Sequence, residues 1–298
     1  MKGCRVWQPV VTLTGPRQSG KTTLVKHVFP EHAYVSLELP DERTFALEDP
    51  RGFLARFREP VILDEVQRAP DLLSYIQVAV DESAVPGRFI LTGSQNLLLM
   101  ESVSQSLAGR AAILHLLPLS LSELFSREPL DPRQLHQPVR KPKPPPADLW
   151  TTLWKGFYPR IHEAGLDANQ WLSDYQRTYV ERDLREVLRV LELDVFERFM
   201  VLVAARTAQE LNPSALASDV GIIQPTAKHW LNALRVGFLV TLLPPHHVSY
   251  RKRLRKTPKL HFLDTGLACY LLGIRDARHS SATPCGEPSS KVSLWASS

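Results

Sequence analysis

Between Pro9 and Pro118 short apolar runs, many of them β-branched, alternate with longer stretches of helical spacing. The runs are Val10–Leu13, Tyr34–Leu37, Val61–Leu63, Phe89–Leu91 and Ala112–Leu114. Runs this short, each followed by a helical stretch, predict a parallel sheet with crossover helices. From Ser126 to Pro146 the pattern collapses into Lys141-Pro142-Lys143-Pro144-Pro145-Pro146. Proline removes backbone donors and favours an extended chain, so residues 126–150 are expected to be a linker. After Trp150 the period becomes helical: Tyr175, Tyr179, Leu184, Leu188 and Leu191, then Phe196, Phe199, Leu202 and Val203, recur mostly every three or four residues. These stripes predict a helical region with its own core over residues 151–210.

Residues 211–274 read as helix, turn, helix and hairpin. Ser214–Ile222 and Pro225–Leu231 carry the two helices, with small Ala217 where they cross and Gly221 where the turn calls for positive φ. Phe238–Leu243 and Lys259–Leu263 are expected to pair across a basic loop, which makes a winged-helix-like domain.

Composition narrows the class. A chain of 298 residues suits two domains, and its 44% hydrophobic and 22% charged content is that of a globular protein. No apolar run reaches the ~20 residues of a membrane-spanning helix and the N-terminus does not read as a signal peptide, so the expected compartment is the cytoplasm and no membrane partner is implied. Cys4, Cys269 and Cys285 fit neither a disulfide framework nor zinc spacing. The net charge of +5 matters less than its clustering between Arg251 and Lys259, which points to a polyanionic partner.

The chemistry concentrates at strand ends. Gly15-Pro16-Arg17-Gln18-Ser19-Gly20-Lys21-Thr22 matches G-x-x-x-x-G-K-[ST], follows a predicted strand, and opens a helix through Thr23. Glycines let backbone N–H groups approach phosphate oxygens, and the helix N-terminus adds a favourable dipole. Lys21 is expected on the β- and γ-phosphates and Thr22 on Mg²⁺. Val61–Leu63 runs into Asp64-Glu65 at the carboxyl edge of the sheet. There Asp64 would hold the metal through water, and Glu65, pointing the other way by strand alternation, would polarise an attacking water. No N-K-x-D motif occurs, which favours ATP over GTP. The fold class is therefore α/β, a P-loop NTPase sheet with flanking helices over residues 1–125, followed by the helical and winged-helix regions.

Two further positions carry alternatives. Ser94, with Gln95 next, ends the Phe89–Leu91 strand as either a γ-phosphate sensor or a helix N-cap. Arg110 is either an arginine finger, which implies a homo-oligomer sharing active sites, or a structural salt bridge.

Gly15–Thr23, Leu63–Pro70, Leu91–Gln95 and Leu107–Glu123 together resemble the core of prokaryotic AAA-type ATPases. In that family the core precedes a region known only as a domain of unknown function, family 4143. Its marks recur here as Gly156-Phe157-Tyr158-Pro159, Thr178–Asp183, Lys252-Arg253-Leu254 and Pro258–Leu267. The resemblance runs from about Val10 to Ile274. It implies ATP and Mg²⁺ as ligands, with Lys21, Thr22, Asp64, Glu65 and Ser94 in the usual roles and no settled cellular process.

The wing bears Arg251, Lys252, Arg253, Arg255 and Lys256, which could lie along DNA phosphates while Gln224, Thr226, Lys228 and His229 face a groove. Winged helices also dock proteins, so DNA and protein both stand as partners. His246-His247 and His261 read as loop histidines, and Arg182 or Asp183 as a salt-bridge anchor. From Arg275 the tail turns polar and aperiodic, and permitted codons for Arg278 through Val292 can be chosen so that an adjacent frame restores the stretch the resemblance implies, so a frameshifted or disordered tail is expected over 275–298. The function expected is Mg-dependent ATP hydrolysis that moves the winged-helix half. The alternative is an ATP-gated DNA-binding regulator with negligible turnover.

Overall fold

The computed structural model describes residues 7–94, 106–127, 148–178, 192–245 and 257–277. The chain divides into two compact units, Met1–Leu117 and Pro118–Ser298.

Unit 1 is a five-stranded sheet of β1 (Val10–Gly15), β2 (Ala33–Ser36), β3 (Val61–Asp64), β4 (Phe89–Ser94) and β5 (Ala111–His115), in the order β2-β3-β4-β1-β5 with every pair parallel. The apolar runs become strands because both faces are covered, which is why they read as continuous rather than alternating. Val10, Val61, Leu63, Phe89 and Leu91 face one core with Phe53, Leu72 and Ile76. Their neighbours Val11, Leu13, Ile62 and Ile90 face the other, with Val25 of α1 (Lys21–Val28). Helices α2 (Pro40–Glu48), α3 (Pro50–Ala55) and α4 (Leu72–Glu82) complete the crossovers. This is the sheet of a P-loop NTPase. With β4 lying between β1 and β3, the carboxyl ends of three adjacent strands meet at one edge.

Unit 2 opens with α5 (Leu121–Leu124), whose capping box pairs Ser120 with Glu123. Helix α6 (Leu149–Lys155) starts inside the stretch expected as linker, because the Asp148 carboxylate accepts from the Thr151 N–H and caps it. Residues 128–147, which hold the proline run, lie outside the described residues. Then come α7 (Pro159–Glu163), α8 (Ala168–Tyr175), α9 (Leu193–Ala205), α10 (Pro213–Val220) and α11 (Gln224–Val236). Phe196 and Phe199 meet Trp230 edge-on in their core. Gly221, at φ 86°, terminates α10 and turns the chain into α11. Strands β6 (Val240–Leu243) and β7 (Lys259–Phe262) pair antiparallel, Val240 opposite Phe262, and α12 (Thr265–Leu271) follows. Helix, turn, helix and ribbon thus stand where the sequence predicts them.

Two motifs far apart in sequence form one clasp in unit 2. Asp264, buried, caps α12 by accepting from Leu267 N and reaches back to accept from Phe157 N, each at 2.7 Å. Gly156 stands so close that a Cβ there would lie 2.6 Å from Asp264 Oδ1, and a Cβ on Gly266 would lie 2.7 Å from Gly156 N. Thr265 Oγ1 donates to Leu153 O at 2.6 Å. Burial raises the Asp264 carboxyl to about 6, against the pull of the backbone N–H groups of Leu267, Phe157 and Gly266. The expected anchors Arg182 and Asp183, and the tail from residue 278, lie outside the described residues.

Candidate nucleotide site

The loop from Gly15 to Gly20 leaves β1 and enters α1. Gly15 packs against the backbone of Leu116, where a Cβ would lie 2.1 Å from the carbonyl oxygen, so only glycine fits. Gly20, at φ 90° and ψ 16°, is the left-handed residue that starts α1. Gln18 is also left-handed, at φ 64°. Pro16 is buried, Arg17 half-buried, and Thr23 exposed on α1.

Lys21 is buried and folds back over the loop, donating from Nζ to Gly15 O at 3.1 Å and Pro16 O at 2.7 Å. Burial lowers its pKa to about 8, opposed by the charges of Glu65 and Asp64. Ser19 Oγ is buried without a hydrogen-bond partner. An unsatisfied hydroxyl and a desolvated ammonium in one loop are groups that an anionic ligand would satisfy, so the loop fits a phosphate.

Thr22 Oγ1 donates to Asp64 Oδ2 at 2.9 Å, joining the start of α1 to the end of β3. Asp64 is buried and accepts two more hydroxyls: Tyr34 on Oδ2 at 2.8 Å and Thr92 on Oδ1. A hydroxyl and a carboxylate side by side make an all-oxygen donor set, the kind a hard divalent cation takes. Sequence reasoning missed Tyr34 and Thr92. Thr92 stands in the quoted strand-end motif one position after Leu91, but Tyr34 belongs to no motif and is found only through the parallel register of β2 and β3.

Glu65 does not continue the strand. β3 ends at Asp64, and Glu65 takes the left-handed conformation, φ 58° and ψ 44°, ahead of a 3-10 turn over Val66–Arg68. Alternation therefore does not orient it; the turn does, and its carboxylate accepts from Gln67 Nε2. Ser94 ends β4 opposite Gly15 in register, so the backbone brings it beside the phosphate loop; Gln95 lies outside the described residues.

Arg110 makes a two-pronged ion pair with Asp81, Nε to Oδ1 at 2.6 Å and Nη2 to Oδ2 at 2.9 Å, which is the structural role weighed for it. Of the expected groove residues, Lys228 and His229 are exposed on α11, while Gln224 Nε2 donates to Ser214 Oγ at 2.6 Å and so ties α11 to α10. Arg251, Arg253 and Arg255, with His246 and His247, lie outside the described residues. Among the described residues no helix is long and apolar enough to cross a membrane.

Residues 8–125 match the family model of the AAA domain, and residues 146–278 match that of a domain of unknown function, DUF8612. The N-terminal part of the chain is therefore an AAA domain, followed by a second domain of unknown function. That second domain carries the number 8612, where the sequence resemblance pointed to 4143. Two relatives of the chain are the uncharacterized proteins Rv2008c of Mycobacterium tuberculosis and Mb2031c of Mycobacterium bovis, each 34% identical over 274 residues. The match covers 90% of this chain and 57% of each relative, so the chain spans little more than half their length. Among solved structures, the Walker-type ATPase PABY2304 of Pyrococcus abyssi is 17% identical, with 89% of this chain and 91% of that one covered and a TM-score of 0.46. A RuvB variant of Thermotoga maritima is 16% identical over 83% and 87% of the two chains, with a TM-score of 0.31.

Proposed function

We propose that this chain binds ATP with Mg²⁺ at the loop between β1 and α1 and hydrolyses it. The observation that carries the reading is a buried ammonium, Lys21, beside a hydroxyl–carboxylate pair, Thr22 and Asp64, whose oxygens are 2.9 Å apart. The Lys21 ammonium donates to two neutral carbonyls, those of Gly15 and Pro16. A β- or γ-phosphate oxygen offers it a charged acceptor, and a charge-assisted bond is roughly twice as strong as a neutral one. Ser19 gains an acceptor at the same time, and the backbone N–H groups at the start of α1 face the phosphates. Mg²⁺ held by Thr22 and Asp64 would supply neutralisation of phosphate charge.

Glu65 is assigned as the base: it takes a proton from water as the water oxygen bonds to the γ-phosphorus and the bond to the β,γ-bridging oxygen breaks, leaving ADP and phosphate. Ser94, at the end of β4, is assigned to orient that water or report the γ-phosphate. In unit 2 the helix–turn–helix and its ribbon are read as a winged helix that turnover moves, with DNA or protein as its partner. The exposed Lys228 and the basic run through Arg251, Arg253 and Arg255 support a polyanion.

The test is nucleotide binding by calorimetry together with phosphate release, with and without duplex DNA. Lys21→Ala is expected to weaken ATP binding by about a hundredfold or more. Glu65→Gln is expected to keep affinity and lose turnover by about 10²–10⁴. Unchanged affinity in the first variant, or wild-type turnover in the second, overturns the corresponding assignment. DNA-gated binding without phosphate release would instead make the protein an ATP-gated regulator.

A further inference from the structure

We infer that Tyr34 is a positioning residue of the cation site, its hydroxyl holding the Asp64 carboxylate in the orientation that a cation at Thr22 requires. The inference rests on the ATP and Mg²⁺ reading above and adds to it a residue that no motif contains.

A carboxylate at a strand end can rotate about its last torsion unless both oxygens are held. The two strands that flank β3 each send one hydroxyl to Asp64: Thr92 of β4 donates to Oδ1, and Tyr34 of β2 donates to Oδ2 at 2.8 Å. The third donor, Thr22 at 2.9 Å on Oδ2, belongs to the loop and helix that meet the nucleotide. The strand donors are thus the fixed ones, and together they define the plane of the carboxylate.

Tyr34 lies on an edge strand with 36% of its surface exposed, and its hydroxyl turns inward to Asp64. The ring is held as well: the Lys26 ammonium stands 3.5 Å from its centroid, on α1 one turn beyond Thr22. Tyr34 therefore touches both the carboxylate and the helix whose first turn carries the other cation ligand.

Tyr34→Phe keeps the ring and removes only the donor, and Tyr34→Leu removes the donor from a different shape. The experiment measures binding of a fluorescent, non-hydrolysed ATP analogue as Mg²⁺ is titrated, for the wild type, both variants and Asp64→Asn, with a series in EDTA. Both Tyr34 variants are expected to raise the half-saturating Mg²⁺ about tenfold, the loss of one hydrogen bond to a charged group, and to bind as the wild type does in EDTA. A wild-type Mg²⁺ curve in both, with Asp64→Asn shifted, overturns the role of Tyr34 and leaves the cation site standing. An equal loss with and without Mg²⁺ makes Tyr34 a structural residue and also overturns the inference. A wild type that ignores Mg²⁺ overturns both readings together.

Discussion

Each unit buries an aspartate at or just beyond the end of an apolar strand and just ahead of a helical turn. Asp64 ends β3 in unit 1, and Asp264 follows β7 by two residues in unit 2. Both are almost wholly removed from solvent. What separates them is the kind of donor each has gathered. Asp64 is held by three hydroxyls, which can rotate and which accept as well as donate. Asp264 is held by the backbone N–H groups of Phe157, Gly266 and Leu267, which can do neither. In the first arrangement the Thr22 hydroxyl can turn to a ligand while the two strand hydroxyls keep the carboxylate in place. The second can only be kept or broken, so the same buried carboxylate is an adaptable site in one unit and a rivet in the other.

The sharpest way to break this contrast is at Gly156. Its φ of 75° and ψ of −163° lie in a region nearly restricted to glycine, and a Cβ would meet Asp264 at 2.6 Å. Gly156→Ala is expected to destabilise the full chain by about 3 kcal/mol or more, from backbone strain and the forced opening of the clasp. Urea unfolding followed by tryptophan fluorescence reads unit 2, since Trp154, Trp171 and Trp230 all belong to its core or pack on it. A loss below about 1 kcal/mol would mean that the clasp yields, contrary to its backbone donors.

Acidity sharpens the same point. Burial raises the Asp264 carboxyl from its ordinary 3.8 to about 6 in the folded chain. The folded chain then holds a proton that the unfolded chain releases between those values, so this group's contribution to stability is present below about pH 4 and is lost as pH rises to about 6. The full swing is about 3 kcal/mol. Asp264→Asn removes the titration, so the stability of wild type minus variant is expected to fall by that amount between pH 4 and pH 7. A flat difference would show that the three backbone donors offset the burial. At the small end stands Asp64→Asn. Its hydroxyl neighbours can turn to suit an amide, so stability without ligand is expected to change by less than about 1 kcal/mol. Amide exchange across Val61–Leu63 would check it, and a loss as large as that at Gly156 would place Asp64 with the rivets.

The legible part of the site was what local chemistry dictates. Gly15, Gly20, Lys21 and Thr22 announce themselves because a phosphate loop needs those residues at those intervals, and Asp64 follows from an apolar run that ends in charge. Gly221 was readable for a similar reason, since a turn between two helices calls for positive φ and it has φ 86°. Tyr34 and Thr92 were not readable as a pair. Their meeting at Asp64 depends on strand order, which places β2 and β4 on either side of β3, and no sequence interval records that. Gly156 and Asp264 form a contact across more than a hundred residues, so the clasp was visible only as two unexplained motifs. Glu65 went astray through a boundary: alternation holds only while the strand lasts, and the strand stops one residue earlier.

That boundary has a further consequence. A side chain in the left-handed region costs roughly 1 kcal/mol that glycine would not incur. Glu65 occupies that region, at φ 58° and ψ 44°. Glycine at this position would relax the turn and at the same stroke delete the carboxylate assigned as the base. Backbone ease and the role assigned to Glu65 therefore pull residue 65 in opposite directions, and a search for more stable versions of this chain would arrive early at a substitution that removes the assigned base.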